Sequence, residues 1–150
     1  MLIQATEGIL EKQGWQFSVL GDSVLRIDFN GESTTWVTLV KCIESYQQLL
    51  IYSICPNKVS VDRFEGVQEF LTRANFGLKF GNFEFDYRDG EVRFKTSVQF
   101  AGEVDPAAMI EECLSINVIT FERYLGGLLQ VMFTDISAEE AIAKIESEES

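Results

Sequence analysis

The side chains able to do chemistry are few. The 150 residues include no histidine. That excludes Ser-His-Asp and Cys-His nucleophile pairs, His-containing zinc sites and an imidazole pH switch. The 3 cysteines, Cys42, Cys55 and Cys113, are far apart and none lies in a Cys-x-x-Cys motif. Each falls in an apolar segment, where a free thiol acts as a small hydrophobe. Carboxylates gather at Asp86, Asp89 and Glu91, but Arg88 and Arg93 stand among them. A calcium loop needs oxygen ligands at alternating positions and a bidentate Glu well downstream of its Gly, a pattern absent here. Gly77 and Gly81 follow a helical stretch instead of leading into one, without the spacing that cradles phosphate. No catalytic residue, metal or cofactor is expected. Tyr52, Cys55, Asn82 and Asp86 could line a pocket between sheet and helices, which keeps a small-molecule-binding or cryptic enzyme domain as a second alternative.

Charge narrows the partners. With 12 basic residues against 24 acidic ones, the chain carries net charge −12. Such a field repels phosphates, so nucleic acid and anionic membrane surfaces are disfavoured. No stretch approaches the ~20 apolar residues that span a bilayer, and residues 1–14 lack the basic start and apolar run of a secretion signal. An odd number of cysteines then points to a reducing cytoplasm. The length suits a single domain over 1–150. Its end, about 146–150 with Glu146, Glu148 and Glu149, is expected to be acidic and frayed.

The remaining elements follow from periodicity. Leu2, Ile3, Ala5, Ile9 and Leu10 recur at helical spacing before Gly14. Trp15, Phe17 and Val19 alternate with polar residues, as do Leu25, Ile27 and Phe29, predicting two strands. The runs Thr35 to Ile43 and Leu49 to Cys55 are apolar on both sides of the alternation. Strands of that kind are covered on both faces, or give the second face to a partner. Ser60 is placed to cap a helix reaching about Phe76, with Phe64, Val67, Leu71 and Ala74 as its stripe. Phe70 lies on the flank of that stripe and is expected to face something other than the sheet. Asp105-Pro106 opens a long helix to about Phe133, with Ile110, Leu114, Asn117, Phe121, Tyr124, Leu125, Leu128 and Met132 as its seam. Met109, Ile116, Ile119 and Leu129 add apolar surface on its other sides. Ser137 to Glu140 forms a capping box for a last short helix.

Between the second and third of these helices lies a hairpin. Asp89-Gly90 is a two-residue loop signal. It pairs Asp86 with Arg93, Glu84 with Lys95 and Arg88 with Glu91 on one face, and Tyr87 with Val92, Phe85 with Phe94 and Phe83 with Thr96 on the other.

A helix ending in Arg-Ala-Asn, then Gly81-Asn82-Phe83-Glu84-Phe85-Asp86, then Asp-Gly-Glu-Val and an aromatic strand, resembles the YbjN family of bacteria. The match is densest over Val59 to Phe100. Its motif residues Asn75, Gly81, Asn82, Phe83, Asp86, Gly90 and Val92 read as scaffold. The resemblance implies a fold similar to type III secretion chaperones and carries no catalytic residues. Periodicity gives the order α-β-β-β-β-α-β-β-α-α, an α+β fold with helices packed on an antiparallel sheet, and the resemblance implies the same.

The functional expectation is a non-enzymatic, chaperone-like protein–protein interaction module that binds or escorts a partner polypeptide through apolar sheet and helix surface. Homodimerisation would use the same surface, and the similar secretion chaperones are dimers. The residues expected at such an interface are Phe70, Tyr52, Ile119 and Leu129. The alternative, a regulator acting in sensory or signal transduction by protein binding, comes from the resemblance alone.

Overall fold

A computed structural model describes residues 1–102 and 105–147. Helix α1 (Leu2–Lys12) is followed by β1 (Ser18–Leu20), β2 (Val24–Asn30), β3 (Thr35–Ile43) and β4 (Gln48–Ile54). Then come α2 (Phe64–Asn75), β5 (Asn82–Asp86), β6 (Glu91–Gln99), α3 (Pro106–Phe133) and α4 (Ala138–Ser147). This is the expected α+β order. The strands pair antiparallel throughout, in the sheet order β1-β2-β3-β4-β6-β5.

The core side of the sheet is set by strand alternation. Leu25 and Ile27, Trp36 and Val40, Leu49 and Ile51, and Val92 and Phe94 are all buried. One apolar cluster joins α1 and the start of α3 to β2, β3 and β4, and a second joins α2, the rest of α3 and α4 to β5 and β6. Helix α3 spans both, which is why its apolar surface exceeds one stripe. Its N-terminus is fixed by the Asp105 carboxylate, which accepts the Ala107 N–H at 3.0 Å, with Pro106 as first helical residue. A Cβ at Gly127 would stand 2.5 Å from Ile145 Cδ1, so the missing side chain lets α4 approach α3 closely. The far side of the sheet differs. Val37, Leu39, Leu50 and Ile54 there are only half-buried and belong to neither cluster. The two central strands are therefore open on their second face.

Several local expectations need correction. Strand β1 is only three residues and exposed, because the Trp15 N–H caps α1 by donating to the Leu10 carbonyl at 3.0 Å. That holds Trp15 beside the helix end, and its ring packs edge-on against Phe29 at 5.1 Å. Phe70 is 0% exposed: α4 closes over the α2–α3 pair and covers the flank that a bare sheet-packing helix would leave open. The β5–β6 loop has four residues, with Asp86 opposite Glu91, Phe85 opposite Val92, Glu84 opposite Arg93 and Phe83 opposite Phe94. The shift by two from the expected register preserves which face is apolar but changes every partner. Its cause is Asp86, whose carboxylate accepts the Arg88 N–H at 2.9 Å while its carbonyl accepts the Gly90 N–H at 2.8 Å. Tyr87 then leaves the ladder and stacks on Phe64 at 5.8 Å. Of the end expected to fray, residues 146 and 147 continue α4, and residues 148–150 lie outside the described residues.

Candidate polypeptide-binding groove

Strand β6 has nine residues and β5, its outer neighbour, has five. Asn82 pairs with Lys95, so pairing on that side stops there. On the other side the ladder with β4 runs on to Gln99. The Cys55 N–H donates to the Val92 carbonyl and the Phe100 N–H to the Gln47 carbonyl, each at 2.9 Å. Even-numbered residues of β6 therefore bond to β4, and alternation turns the backbone groups of Ser97 and Gln99 the other way. No group among the described residues pairs with them. An open half-edge of this kind is a template for another strand.

Beside that half-edge runs a groove of about 290 Å³ between β6 and α3. Phe80, Val98, Met109 and Ile116 supply its apolar lining, and Asn82, Lys95, Ser97 and Glu112 its polar one. Cys113 also lines it, donating its thiol to Thr96 Oγ1 at 3.3 Å. Burial pushes that thiol's pKa up, so it contributes an apolar wall and no ready nucleophile. Phe80 stands 63% exposed at the lip. Ile119 is 68% exposed and lies three residues beyond Ile116 on the same helix flank, extending the apolar rim by a turn.

Two devices fix the groove's shape. Gly81 holds φ +80°, and a Cβ there would stand 2.7 Å from the Lys95 carbonyl oxygen. Glycine thus lets the chain cross β6 tightly and leave it before Ser97. Asn117 of α3 seats the helix on the sheet from below. Its side-chain carbonyl accepts the Ser53 hydroxyl at 2.6 Å. Its amide donates to the Ile51 carbonyl at 2.9 Å, Thr96 Oγ1 at 3.1 Å and the Phe94 carbonyl at 3.2 Å. Thr38 and the Trp36 indole N–H complete this buried network through Ser53. Among the described residues no buried side-chain polar atom in it lacks a partner, the condition under which such networks rigidify a core.

The other edge is treated in the opposite way. Phe83 points its backbone groups away from β6, where they meet Asn75 at the end of α2. The Asn75 side chain accepts the Phe83 N–H at 2.7 Å and donates to its carbonyl at 3.2 Å. One amide thus stands in for a neighbouring strand and closes that stretch of β5. Gly90, another motif residue, is buried, with φ +80°, packed against the Val59 backbone. Asn82, Phe83, Asp86 and Val92 are ladder or turn residues.

The four residues expected at an interface are not brought together. Phe70 is in the α2–α3–α4 core, and Leu129 packs half-buried against the same cluster. Tyr52 lies on the open sheet face, 7% exposed beneath Arg93 and Lys41. Only Ile119 adjoins the groove. Nor do Tyr52, Cys55, Asn82 and Asp86 converge: Cys55 is core, while the register puts the other three on the far face, Asn82 at the groove's edge, Tyr52 two strands away and Asp86 at the other end of β5. The Asp86 carboxylate is held down to about 2 by the Arg88 guanidinium and N–H, while Lys58 bridges Asp89 and Glu91. Ser97, Gln99, Phe80 and the groove roles of Met109 and Ile116 were not foreseen. Their signal is an unequal pair of strand lengths rather than a motif.

No protein-family model matches the chain, and no curated protein matches it significantly. Its fold is shared by solved structures that include the following two. One is YbjN from E. coli, a candidate transcription regulator, with 13% identity and a TM-score of 0.55 over 79% of this chain and 90% of YbjN. The other is the ExsC–ExsE complex, with 16% identity and a TM-score of 0.59 over 82% of this chain and 90% of the matched one. The chain thus has a YbjN-like, type III secretion chaperone-like fold, as the sequence resemblance implies.

Proposed function

We propose that this chain is a non-enzymatic, chaperone-like interaction module that takes up an extended segment of a partner polypeptide along the open half of β6. The observation carrying this reading is the juxtaposition of unpaired backbone groups at Ser97 and Gln99 with the groove lined by Phe80, Val98, Met109 and Ile116. An incoming strand would pair with both residues and turn alternate side chains into the groove. Backbone bonds give affinity to any extended segment, and the groove selects for an apolar side chain beside it. The ExsC–ExsE complex, of the same fold, is itself a protein held to a protein. Three buried free thiols suit a reducing cytoplasm as the place of action.

The regulator reading uses the same groove and differs only in the partner captured. Support for it is the likeness to YbjN. A photo-reactive phenylalanine analogue at Ile116, illuminated in lysate of the native host, tests both. The expected result is a cross-link to one polypeptide, within an extended apolar segment, that Ser97→Pro abolishes. Cross-links absent, or unchanged by the proline, would overturn the groove as the binding site. An aggregation-prone client would identify a chaperone, and a signalling protein a regulator.

A further inference from the structure

On the sheet face away from the helices, the register lines up an apolar ladder: Val37 opposite Ile54, Leu39 opposite Tyr52, and Leu50 opposite Lys41. Cations surround it. Arg26 stands opposite Leu39, Arg93 opposite Ile54 and Lys95 opposite Tyr52. The Tyr52 ring lies 4.0 Å under the Arg93 guanidinium and 5.3 Å from Lys41 Nζ, so both cations are held over the ladder.

The charge here runs against the rest of the molecule. Of the 12 basic residues of a net −12 chain, Lys41, Arg93 and Lys95 adjoin one tyrosine, and Arg26 stands one strand beyond it. Two carboxylates accompany them: Asp28 on Arg26, and Glu84 shared between Arg93 and Lys95. Lys41 has no carboxylate partner among the described residues. Asp86 and Glu91, farther along this face, are taken up by Arg88 and Lys58. The centre of the face is thus positive and apolar. At physiological salt the distant acids are screened beyond about 8 Å, so a molecule touching the face meets these cations first.

We infer that this face docks an acidic segment of a partner polypeptide, a second surface that meets the groove only at Lys95 and Ser97. An apolar side chain of the segment rests on Leu39 and Ile54 beside Tyr52, and its carboxylates meet Lys41 and the Arg93–Lys95 pair. The apolar ladder favours a polypeptide, whose side chain can rest on it, over a polyphosphate, which has no apolar group to place there.

The test is an amide-shift NMR titration of the protein with a capped hexapeptide holding a central leucine–tryptophan pair between two glutamates on each side. The same peptide with lysines replacing the glutamates is the control. Shifts should gather at Leu39, Lys41, Tyr52 and Arg93 with the acidic peptide alone. Lys41→Glu should weaken its binding about tenfold, as loss and reversal of one contact charge would. Lys41→Gln, which adds no charge, should give a smaller loss and serves if the reversal disturbs folding. The proposal is overturned by equal binding of both peptides, by no shift at millimolar peptide, or by shifts confined to Phe80, Met109, Ile116 and the rest of the groove side of α3. The last outcome would place the peptide in the groove and leave the groove reading standing, while Ser97→Pro should spare binding at the sheet face.

Discussion

Proline at Ser97 separates the two sides of one strand. The Ser97 N–H points away from β4 and has no partner among the described residues, so proline removes a bond the fold does not make. Thr96, just before it, is already extended, as the residue preceding a proline should be. Proline on an open edge is accordingly tolerated. One residue earlier the outcome reverses. The Thr96 N–H faces Ile51 in the β4 ladder and its hydroxyl serves Asn117, so Thr96→Pro should cost about 3 kcal/mol or more of stability. For binding, pairing at Ser97 and Gln99 offers four backbone bonds at about 0.5–1.5 kcal/mol each. Losing one and meeting the ring should remove about 1–3 kcal/mol, or roughly fivefold to 150-fold in affinity. Urea unfolding followed by tryptophan fluorescence reads stability, and capture of the cross-linked partner reads binding. Ser97→Pro should leave the urea midpoint within error of the parent while capture falls. Capture unchanged, or a loss of stability equal to that of Thr96→Pro, would refute the assignment of outward and inward backbone groups.

Three further outcomes follow from particular contacts. Asn117→Asp keeps the shape but sets oxygen against the Ile51 and Phe94 carbonyls, and should cost about 4 kcal/mol or more near neutrality. Burial raises that carboxyl's folded pKa above its unfolded ~3.9. The neutral form is thus favoured in the fold, and the deficit in urea unfolding should shrink as pH falls from 7 to 5. Phe70→Asp should abolish the cooperative transition in circular dichroism, because a charge would replace a ring that is 0% exposed; a folded variant would refute its place in the core. Asp86, with a folded pKa of about 2 set by Arg88, should titrate in carboxyl NMR near that value and move up in Arg88→Gln. Since the folded pKa lies below the unfolded one, whatever stability this pair gives is present above ~3.9 and lost as pH falls through about 2.

Elements were legible where one local rule decides them. Pro106 after Asp105 fixed where α3 begins, and the seam from Ile110 to Met132 is buried as its spacing requires. Alternation in β2 named its core side, Leu25 and Ile27. Legibility fell where a choice depended on a neighbour distant in sequence. Whether Phe70 is core depends on α4, more than sixty residues later, and on the room left by Gly127. The hairpin was misread because Asp-Gly is also compatible with a longer loop, which the Asp86 carboxylate selects. Asn117 looked like one polar residue in an apolar seam, and only the sheet beneath it shows what its amide satisfies. The groove was invisible for a different reason: each residue lining it is ordinary, and none would be chosen by type.

The half-length of β5 therefore amounts to a binding site encoded as a missing segment. Phe80 lines it and Gly81 lets the chain leave β6 early, but the site itself arises because residues 76–81 decline to continue the sheet. Sites of this sort respond to insertion more than to substitution. Lengthening the turn before Asn82 by enough chain to lie along Ser97 and Gln99 would supply the absent strand in cis, and the molecule would then carry its own competitor. A lineage could silence or restore the activity by changing loop length alone, with every side chain in the groove left as it was. The same reasoning offers an engineering handle, a tethered strand released by a protease, for which the groove is the lock and the loop the key.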